Sequence, residues 1–222
     1  MTRILITAGP TIEDIDPVRF ISNRASGTLG CALAQAAASA GMEVTLVHGP
    51  ISEVLLNAVS SSVKRVPVRS ASQMLDAVMK HVQSTDVVIM NAAVADYTPA
   101  KLSETKLKKS GDGLVLKLKA TVDILKRLGE IKASRKKNLV LIGFALETGE
   151  GRTAKARARS AIEFARKKLA SKNLDAIVLN SPATIGADTG DFLFLSEDDA
   201  VPLPGTKAEF ARALIKRVTA IC

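Results

Sequence analysis

The sequence predicts a doubly wound α/β fold, a mainly parallel sheet with helices on both faces, and three observations carry that reading. Apolar runs rich in Val, Ile and Leu recur along the chain and are continuous, as strands buried on both faces must be. Segments with apolar residues at helical spacing separate them, which is a βαβ rhythm. The composition, 47% apolar and 24% charged over 222 residues, allows one sizeable core and excludes disordered, collagen-like and mucin-like readings. One Rossmann-like domain over residues 1–222 is therefore expected, with ligands at the carboxyl ends of its strands.

The first strand, residues 3–8, is reached from the amino end without a long signal-peptide apolar region. No run approaches the roughly 18 residues that span a bilayer, so a cytoplasmic location and no membrane partner are expected. Periodicity then lapses until Ser22-Asn23-Arg24-Ala25-Ser26-Gly27-Thr28-Leu29-Gly30 opens an Ala-rich helix, whose body covers 29–38 and stops at Gly41. Strands at 43–48 and 63–68 follow. Met74, Leu75, Val78, Met79 and Val82 mark a helix over 72–83, and 86–91 is the next buried strand. From 98 to 112 the chain turns polar and basic, as a mobile flap would, before Leu114, Leu116 and Leu118 alternate with Val115, Lys117 and Lys119 as a half-exposed strand over 113–119. A helix from about Asp123, a strand at 138–142, a long helix over 152–171, strands at 175–179 and near 192–195, and a closing helix over 206–218 complete the chain. Neither a repeat nor a clear linker interrupts it.

Lysine and arginine outnumber aspartate and glutamate, 31 against 22, and the resulting formal charge of +9 favours anionic partners. One Tyr, six Phe and no Trp offer few surfaces for base stacking, which turns the expectation from nucleic acid to small phosphorylated ligands. Cys31 and Cys222 supply neither a disulfide framework nor a CxxC pair, and His48 and His81 are too few for a histidine-built metal centre. Magnesium carried by a substrate is the metal chemistry that remains.

Three segments could carry chemistry. A Gly-rich helix start after Gly9-Pro10-Thr11 offers free N–H groups and a positive dipole end to phosphate or carboxylate oxygens; a capped helix with turn glycines is the bland alternative. Asn91-Ala92-Ala93-Val94-Ala95-Asp96-Tyr97 follows an apolar strand, and its small residues let a ring or sugar approach the backbone while Asp96 faces a ligand hydroxyl or metal. With Lys101 this stretch imitates a short-chain dehydrogenase, but Pro99 disfavours the helix that a Tyr-x-x-x-Lys pair needs. Lys106-Leu107-Lys108-Lys109, bounded by Ser110-Gly111, sets three ammonium groups on the flap, where they could close on a triphosphate or simply face water. A predicted helix carries Arg152, Lys155, Arg157 and Arg159 on a largely solvated face, and its Lys168 and Lys172, at i and i+4, share a side.

The order of these motifs is more specific than any one of them. Ala8-Gly9-Pro10-Thr11, Asp16-Pro17-Val18-Arg19-Phe20-Ile21-Ser22-Asn23, Ser26-Gly27, Asn91 to Tyr97, Lys106 to Lys109, Gly143-Phe144-Ala145, Glu147-Thr148 and Lys168-Leu169 with Lys172 together resemble the phosphopantothenate–cysteine ligase family over nearly the whole chain. Bacterial members are commonly fused behind a flavin-dependent decarboxylase; this chain starts at the first strand of the ligase part, so the resemblance implies a stand-alone ligase without flavin. It implies a two-step reaction, in which the carboxylate of 4′-phosphopantothenate attacks the α-phosphate of CTP and the amine of L-cysteine then displaces CMP.

By that resemblance Asn23 holds the acyl intermediate and Lys106 neutralises the transferring phosphate. Asn91, Ala92, Ala93 and Asp96 meet base and ribose, and Phe144, Lys168 and Lys172 complete the nucleotide site. Val122, Asp123, Ile124 and Leu125 belong to the same site, although Thr121-Val122-Asp123-Ile124 departs from the family's Asn-Pro-Asp-Ile. Asn180-Ser181-Pro182 only partly matches the usual Ala-Asn-Asp and receives no role. Mg2+ bridges phosphate oxygens with no protein ligand assigned. The helix-end argument adds Gly9, Thr11, Ser26 and Gly27 as holders of the substrate's phosphate. The family is dimeric, with the flap and residues 16–23 near the subunit contact, so a homodimer is expected. Two alternatives stand beside the ligase: a non-catalytic nucleotide-binding regulatory protein, and ATP in place of CTP.

Overall fold

The structure is a computed structural model and describes residues 1–109, 111, 113–135 and 137–221; Ser110 and Asp112 of the expected flap, and Cys222, lie outside the described residues. Strand β1 is Arg3–Ala8, and β2 (Ile12–Asp14) and β3 (Phe20–Ser22) form a hairpin in the segment whose periodicity lapses. Then come α1 (Thr28–Ser39), β4 (Glu43–His48), α2 (Glu53–Asn57), β5 (Lys64–Pro67), α3 (Ala71–Val82) and β6 (Val87–Met90). The excursion that follows contains β7 (Tyr97–Pro99) and β8 (Leu118–Ala120). The second half comprises α4 (Ile124–Ser134), β9 (Val140–Leu146), α5 (Ala154–Ser171), β10 (Ala176–Asn180), β11 (Thr189–Gly190), β12 (Leu193–Ser196), β13 (Ala200–Pro202), β14 (Gly205–Thr206) and α6 (Lys207–Ile221).

The main sheet runs β13-β12-β10-β9-β6-β1-β4-β5. Its strands from β5 to β10 are parallel, and β12 joins β10 antiparallel at the far edge, so the mainly parallel sheet agrees with the expected fold class. The order reverses between β1 and β6: successive strands step outward through β4 and β5 on one side and through β6, β9 and β10 on the other. That reversal opens a crevice above the carboxyl ends of β1 and β6.

Alternation along β1 divides the interior. Ile4, Ile6 and Ala8 face α1 and α6, while Leu5 faces the layer of α3, α4 and α5. Both layers are fully buried, which explains the unbroken apolar runs. Gly30 lets α1 lie on β1, since a Cβ there would stand 2.3 Å from the Cβ of Ala8. Ser70 caps α3 in a reciprocal box with Gln73, and Asp123 and Thr153 cap α4 and α5, so those helices begin one or two residues from where their patterns predict.

Two expectations fail. The alternating leucines of 113–119 do not make a half-buried strand: only Leu118–Ala120 is a strand, paired with β7 in a two-stranded ribbon, and Leu114 and Leu118 are exposed. The ribbon has no layer beneath it, so alternation alone creates no buried face. The capped-helix alternative for the start of α1 also fails in its usual form, because neither Ser26 nor Thr28 supplies a side-chain cap. The cap of α1 is Gly27 at φ 83°, which receives no side-chain hydrogen bond. Tyr97 and Pro99 share β7, which removes the helix that the dehydrogenase imitation requires.

Candidate active site

A cavity of about 530 Å³ sits at the strand-order reversal, over the carboxyl ends of β1, β6, β9 and β10. The sequence placed Gly9, Asn91, Ala92, Ala93, Asp96 and Phe144 at strand ends and Asn23, Ser26 and Gly27 before α1, and all nine line this cavity. Its rigidity comes from β1. Thr7 is fully buried, and its Oγ1 accepts the N–H groups of Asn91 and Ala92, each at 3.1 Å. The N–H of Ala93 donates to the Gly9 carbonyl at 2.9 Å, which pins the two loops together.

Asn23 is exposed, and its Nδ2 donates to the Ala93 carbonyl at 2.9 Å. One amide hydrogen is thereby fixed, while the second and the amide oxygen remain for a ligand. Opposite, α1 presents its first turn. The cap geometry leaves most of those N–H groups facing outward with the positive end of the helix dipole, an arrangement suited to an anion.

Thr11 does not line the cavity: it is fully buried, and its Oγ1 accepts the Ala95 N–H at 2.9 Å. Its work is to fix the β6 loop. Lys168, Lys172, Val122, Asp123, Ile124 and Leu125 also lie outside the cavity lining, on the α4/α5 side of the sheet. Lys172 pairs with Asp123 at 2.8 Å and Lys168 with Glu147 at 2.5 Å. Burial raises the Asp123 carboxyl, but Lys172 and the backbone N–H of Lys126 outweigh it and hold the group below the usual carboxylate range. Ile124 and Leu125 are core residues. The cluster is nevertheless joined to the cavity, because the N–H of Thr121 donates to the carbonyl of the lining residue Asp96 at 2.9 Å.

Lys106 is exposed, away from the cavity lining, and its ammonium has no partner among the described residues. Its neighbour is firmly held. The Asp16 carboxylate, fully buried, accepts the N–H groups of Val18, Arg19 and Leu107 at 2.8, 2.9 and 3.1 Å and pairs with the Arg19 guanidinium, which also donates to the Leu107 carbonyl. Burial pushes this carboxyl up, but those donors and the guanidinium prevail and hold it at about 2. The Asp-Pro-Val-Arg signature is thus a clamp on the flap, a role that spacing alone does not show.

Sequence reasoning missed the far wall of the cavity: Asn180 at the end of β10, Thr184, Phe192 and Lys207. Asn180 carried a readable signal, an amide directly after an apolar strand. Lys207 carried none, since it sits among the polar residues of an amphipathic helix.

The fold and the cavity define a doubly wound α/β protein with a cavity across the carboxyl edge of its sheet, where such folds place their ligands. The chain belongs to the family described as the DNA/pantothenate metabolism flavoprotein C-terminal domain, whose model matches residues 1–221. It is 46% identical over 188 residues to the coenzyme A biosynthesis bifunctional protein CoaBC of Bacillus subtilis (strain 168), covering 84% of this chain and 42% of that protein. The chain spans about half the length of the curated relatives it matches. Among solved structures, the C-terminal domain of a coenzyme A biosynthesis bifunctional protein CoaBC superposes with a TM-score of 0.79 at 41% identity, covering 99% of this chain and 95% of that one. The DNA/pantothenate metabolism flavoprotein of Streptococcus pneumoniae gives a TM-score of 0.83 at 26% identity with 100% of both chains covered. The family expected from the motifs and the family found coincide.

Proposed function

We propose that this chain, as one domain over residues 1–222, joins 4′-phosphopantothenate to L-cysteine through an acyl-cytidylate, with CTP converted to CMP and pyrophosphate. The observation that carries the reading is the convergence of Asn23, Asp96 and the helix start of α1 on one cavity, with paired lysines reached through the Asp96–Thr121 bond. In the first step a substrate carboxylate oxygen bonds to the α-phosphorus as the bond to the departing pyrophosphate breaks. Lys168 and Lys172 exchange their carboxylates for nucleotide phosphates, and Lys106 on the clamped flap offsets charge at the α-phosphate. In the second step the cysteine amine attacks the acyl carbonyl, CMP leaves with the bonding pair, and the amine gives up a proton. The unused amide hydrogen of Asn23 donates to the carbonyl oxygen as negative charge grows there.

Mg2+ would arrive as a substrate ion on the triphosphate and offset its charge there. No electrons move in either step, so the chemistry calls for no flavin. Exposed Val18, Phe20, Tyr97 and Val122 on the β2–β3 hairpin and around the β7–β8 ribbon support a homodimer through this arm. No helix among the described residues is long and apolar enough to cross a membrane.

The test supplies the purified protein with magnesium, 4′-phosphopantothenate and either CTP or ATP, with and without cysteine. Pyrophosphate with CTP, and CMP with the cysteine amide only when cysteine is present, is the expected result. Preference for ATP would overturn the nucleotide assignment, and silence with both nucleotides from folded protein would favour a regulatory nucleotide-binding role.

A further inference from the structure

Asn173 is the one non-glycine residue among the described residues with a left-handed backbone, at φ 53°. It directly follows Lys172 at the end of α5 in a Schellman turn: the N–H of Leu174 donates to the Leu169 carbonyl at 3.0 Å, and the N–H of Asn173 to the Ala170 carbonyl at 3.2 Å. A glycine would serve that turn without strain, so the turn alone gives no reason for a side chain. The amide reaches a second helix. Its Nδ2 donates to the Gly129 carbonyl on α4 at 3.3 Å, and the Asn173 carbonyl accepts the Lys132 ammonium, also from α4, at 3.3 Å. Lys132 pairs in turn with Asp175 at 2.8 Å, and the other oxygen of Asp175 accepts the Leu141 N–H of β9 at 2.6 Å. The end of α5 is thereby latched to α4 on one side and to the sheet on the other.

At this latch the two helices meet backbone on backbone. Gly129 is buried, and a Cβ there would stand 2.1 Å from the Lys172 carbonyl oxygen. From that anchor the Lys172 side chain leans back toward the start of its helix, as helical side chains do, and its ammonium meets Asp123, the cap of α4, at 2.8 Å. Asp123 precedes Gly129 by six residues, about 9 Å of helix. An extended lysine stem covers roughly 6 Å and the ion pair makes up the rest, so the reach has little slack. A small displacement of the Lys172 backbone therefore takes the ammonium off its mark.

We propose that Asn173 is a positioning residue for the nucleotide: by holding the end of α5 on α4 it aims the Lys172 ammonium at Asp123, from which the ammonium passes to a nucleotide phosphate. The inference rests on the nucleotide reading of Lys172 given above. Asn173 touches no substrate and acts through Lys172 alone.

The experiment measures Kd for CTP and for 4′-phosphopantothenate by calorimetry, the rate of pyrophosphate release at saturation and the melting temperature, in the wild type, Asn173→Ala, Asn173→Gly, Lys172→Met and each Asn173 variant combined with Lys172→Met. Asn173→Ala is expected to raise Kd for CTP about fivefold while the saturated rate and the affinity for the acyl substrate stay as they are. Asn173→Gly keeps the turn and loses the amide, and should raise Kd about threefold. In the Lys172→Met background the Asn173 changes should leave Kd for CTP where Lys172→Met puts it, while Asn173→Ala lowers the melting temperature as before, because only the aim of the ammonium couples the turn to the nucleotide. Wild-type affinity for CTP in both Asn173 variants would overturn the proposal, as would a loss that persists in full without Lys172, or a parallel loss of rate and acyl-substrate affinity. A Lys172→Met protein that binds CTP as the wild type does, or a wild type that does not bind it, would overturn the nucleotide reading of Lys172 and this proposal together. If the expected pattern holds and no pyrophosphate is released, the ligase reading fails while the positioning role stands. Should Asn173→Ala not fold, Asn173→Gly with and without Lys172→Met carries the same comparison.

Discussion

The two faces of the sheet treat their lysines in opposite ways. On the α4/α5 side Lys168, Lys172 and Lys132 each have a carboxylate, from Glu147, Asp123 and Asp175 respectively. On the α1/α6 side Lys207 has none among the described residues, although it is more deeply buried than Lys168. A paired ammonium that meets a phosphate exchanges one anion for another, so its net gain is modest, and it is neutralised again when the phosphate leaves. An unpaired one gains the full interaction with its ligand. The two arrangements thus differ in whether a resident carboxylate offsets the attraction that a lysine offers to an anion.

Lys106 lies on neither face, and the largest effect should fall there. Lys106→Gln is expected to slow pyrophosphate release about a thousandfold while circular dichroism and melting temperature stay as they are. An unchanged rate would show that the paired lysines alone offset the charge on the transferring phosphate. Asn23→Asp sits at the junction of the two faces and should still form the acyl-cytidylate, but amide formation should slow about a hundredfold, because a carboxylate repels the developing oxyanion. Rapid quench would separate the two steps, and fast amide formation would remove Asn23 from the mechanism.

Lys172→Met sharpens the division between faces. Raised KM for CTP, about tenfold, with unaltered affinity for the acyl substrate is the expected pattern, and stability should change by no more than about 1 kcal/mol because the Lys172 pair is partly solvated. A change in acyl-substrate affinity instead would merge the two subsites. The smallest effect concerns the flap clamp. The Asp16 carboxyl is held at about 2 in the fold, below its ordinary 3.8, so its contribution to stability is complete above about pH 4 and is lost as pH falls toward 2. Asp16→Asn should therefore melt a few degrees below the wild type at neutral pH, with the gap closing between pH 4 and pH 2. A gap that stays constant to pH 2 would show that the clamp does not depend on the carboxylate charge.

The comparison between strand ends and flap also explains what could be read in advance. Arg3–Ala8, Glu43–His48 and Val87–Met90 were legible because burial on both faces demands continuous apolar runs, and Gly9, Asn91 and Phe144 fell at the site because they directly follow or end such runs. The leucines of 113–119 misled because period alone does not say whether a layer exists to bury a strand. Thr11 was assigned to the ligand because a threonine beside a glycine turn looks the same in sequence whether its hydroxyl faces inward or outward; here it faces Ala95.

What the chain's order of residues settled was local: the βαβ rhythm, the helix starts, the basic excess and the family signature from Asp16 to Asn23. Folding settled which charges have partners. Asp16 meets Leu107, Lys172 meets Asp123, and Lys207 lines a cavity that Gly9, near the other end of the chain, also lines. Helical and strand periods act over a few residues, whereas pairing a charge depends on which strand ends the sheet order brings side by side, and that order is a property of the whole packed domain.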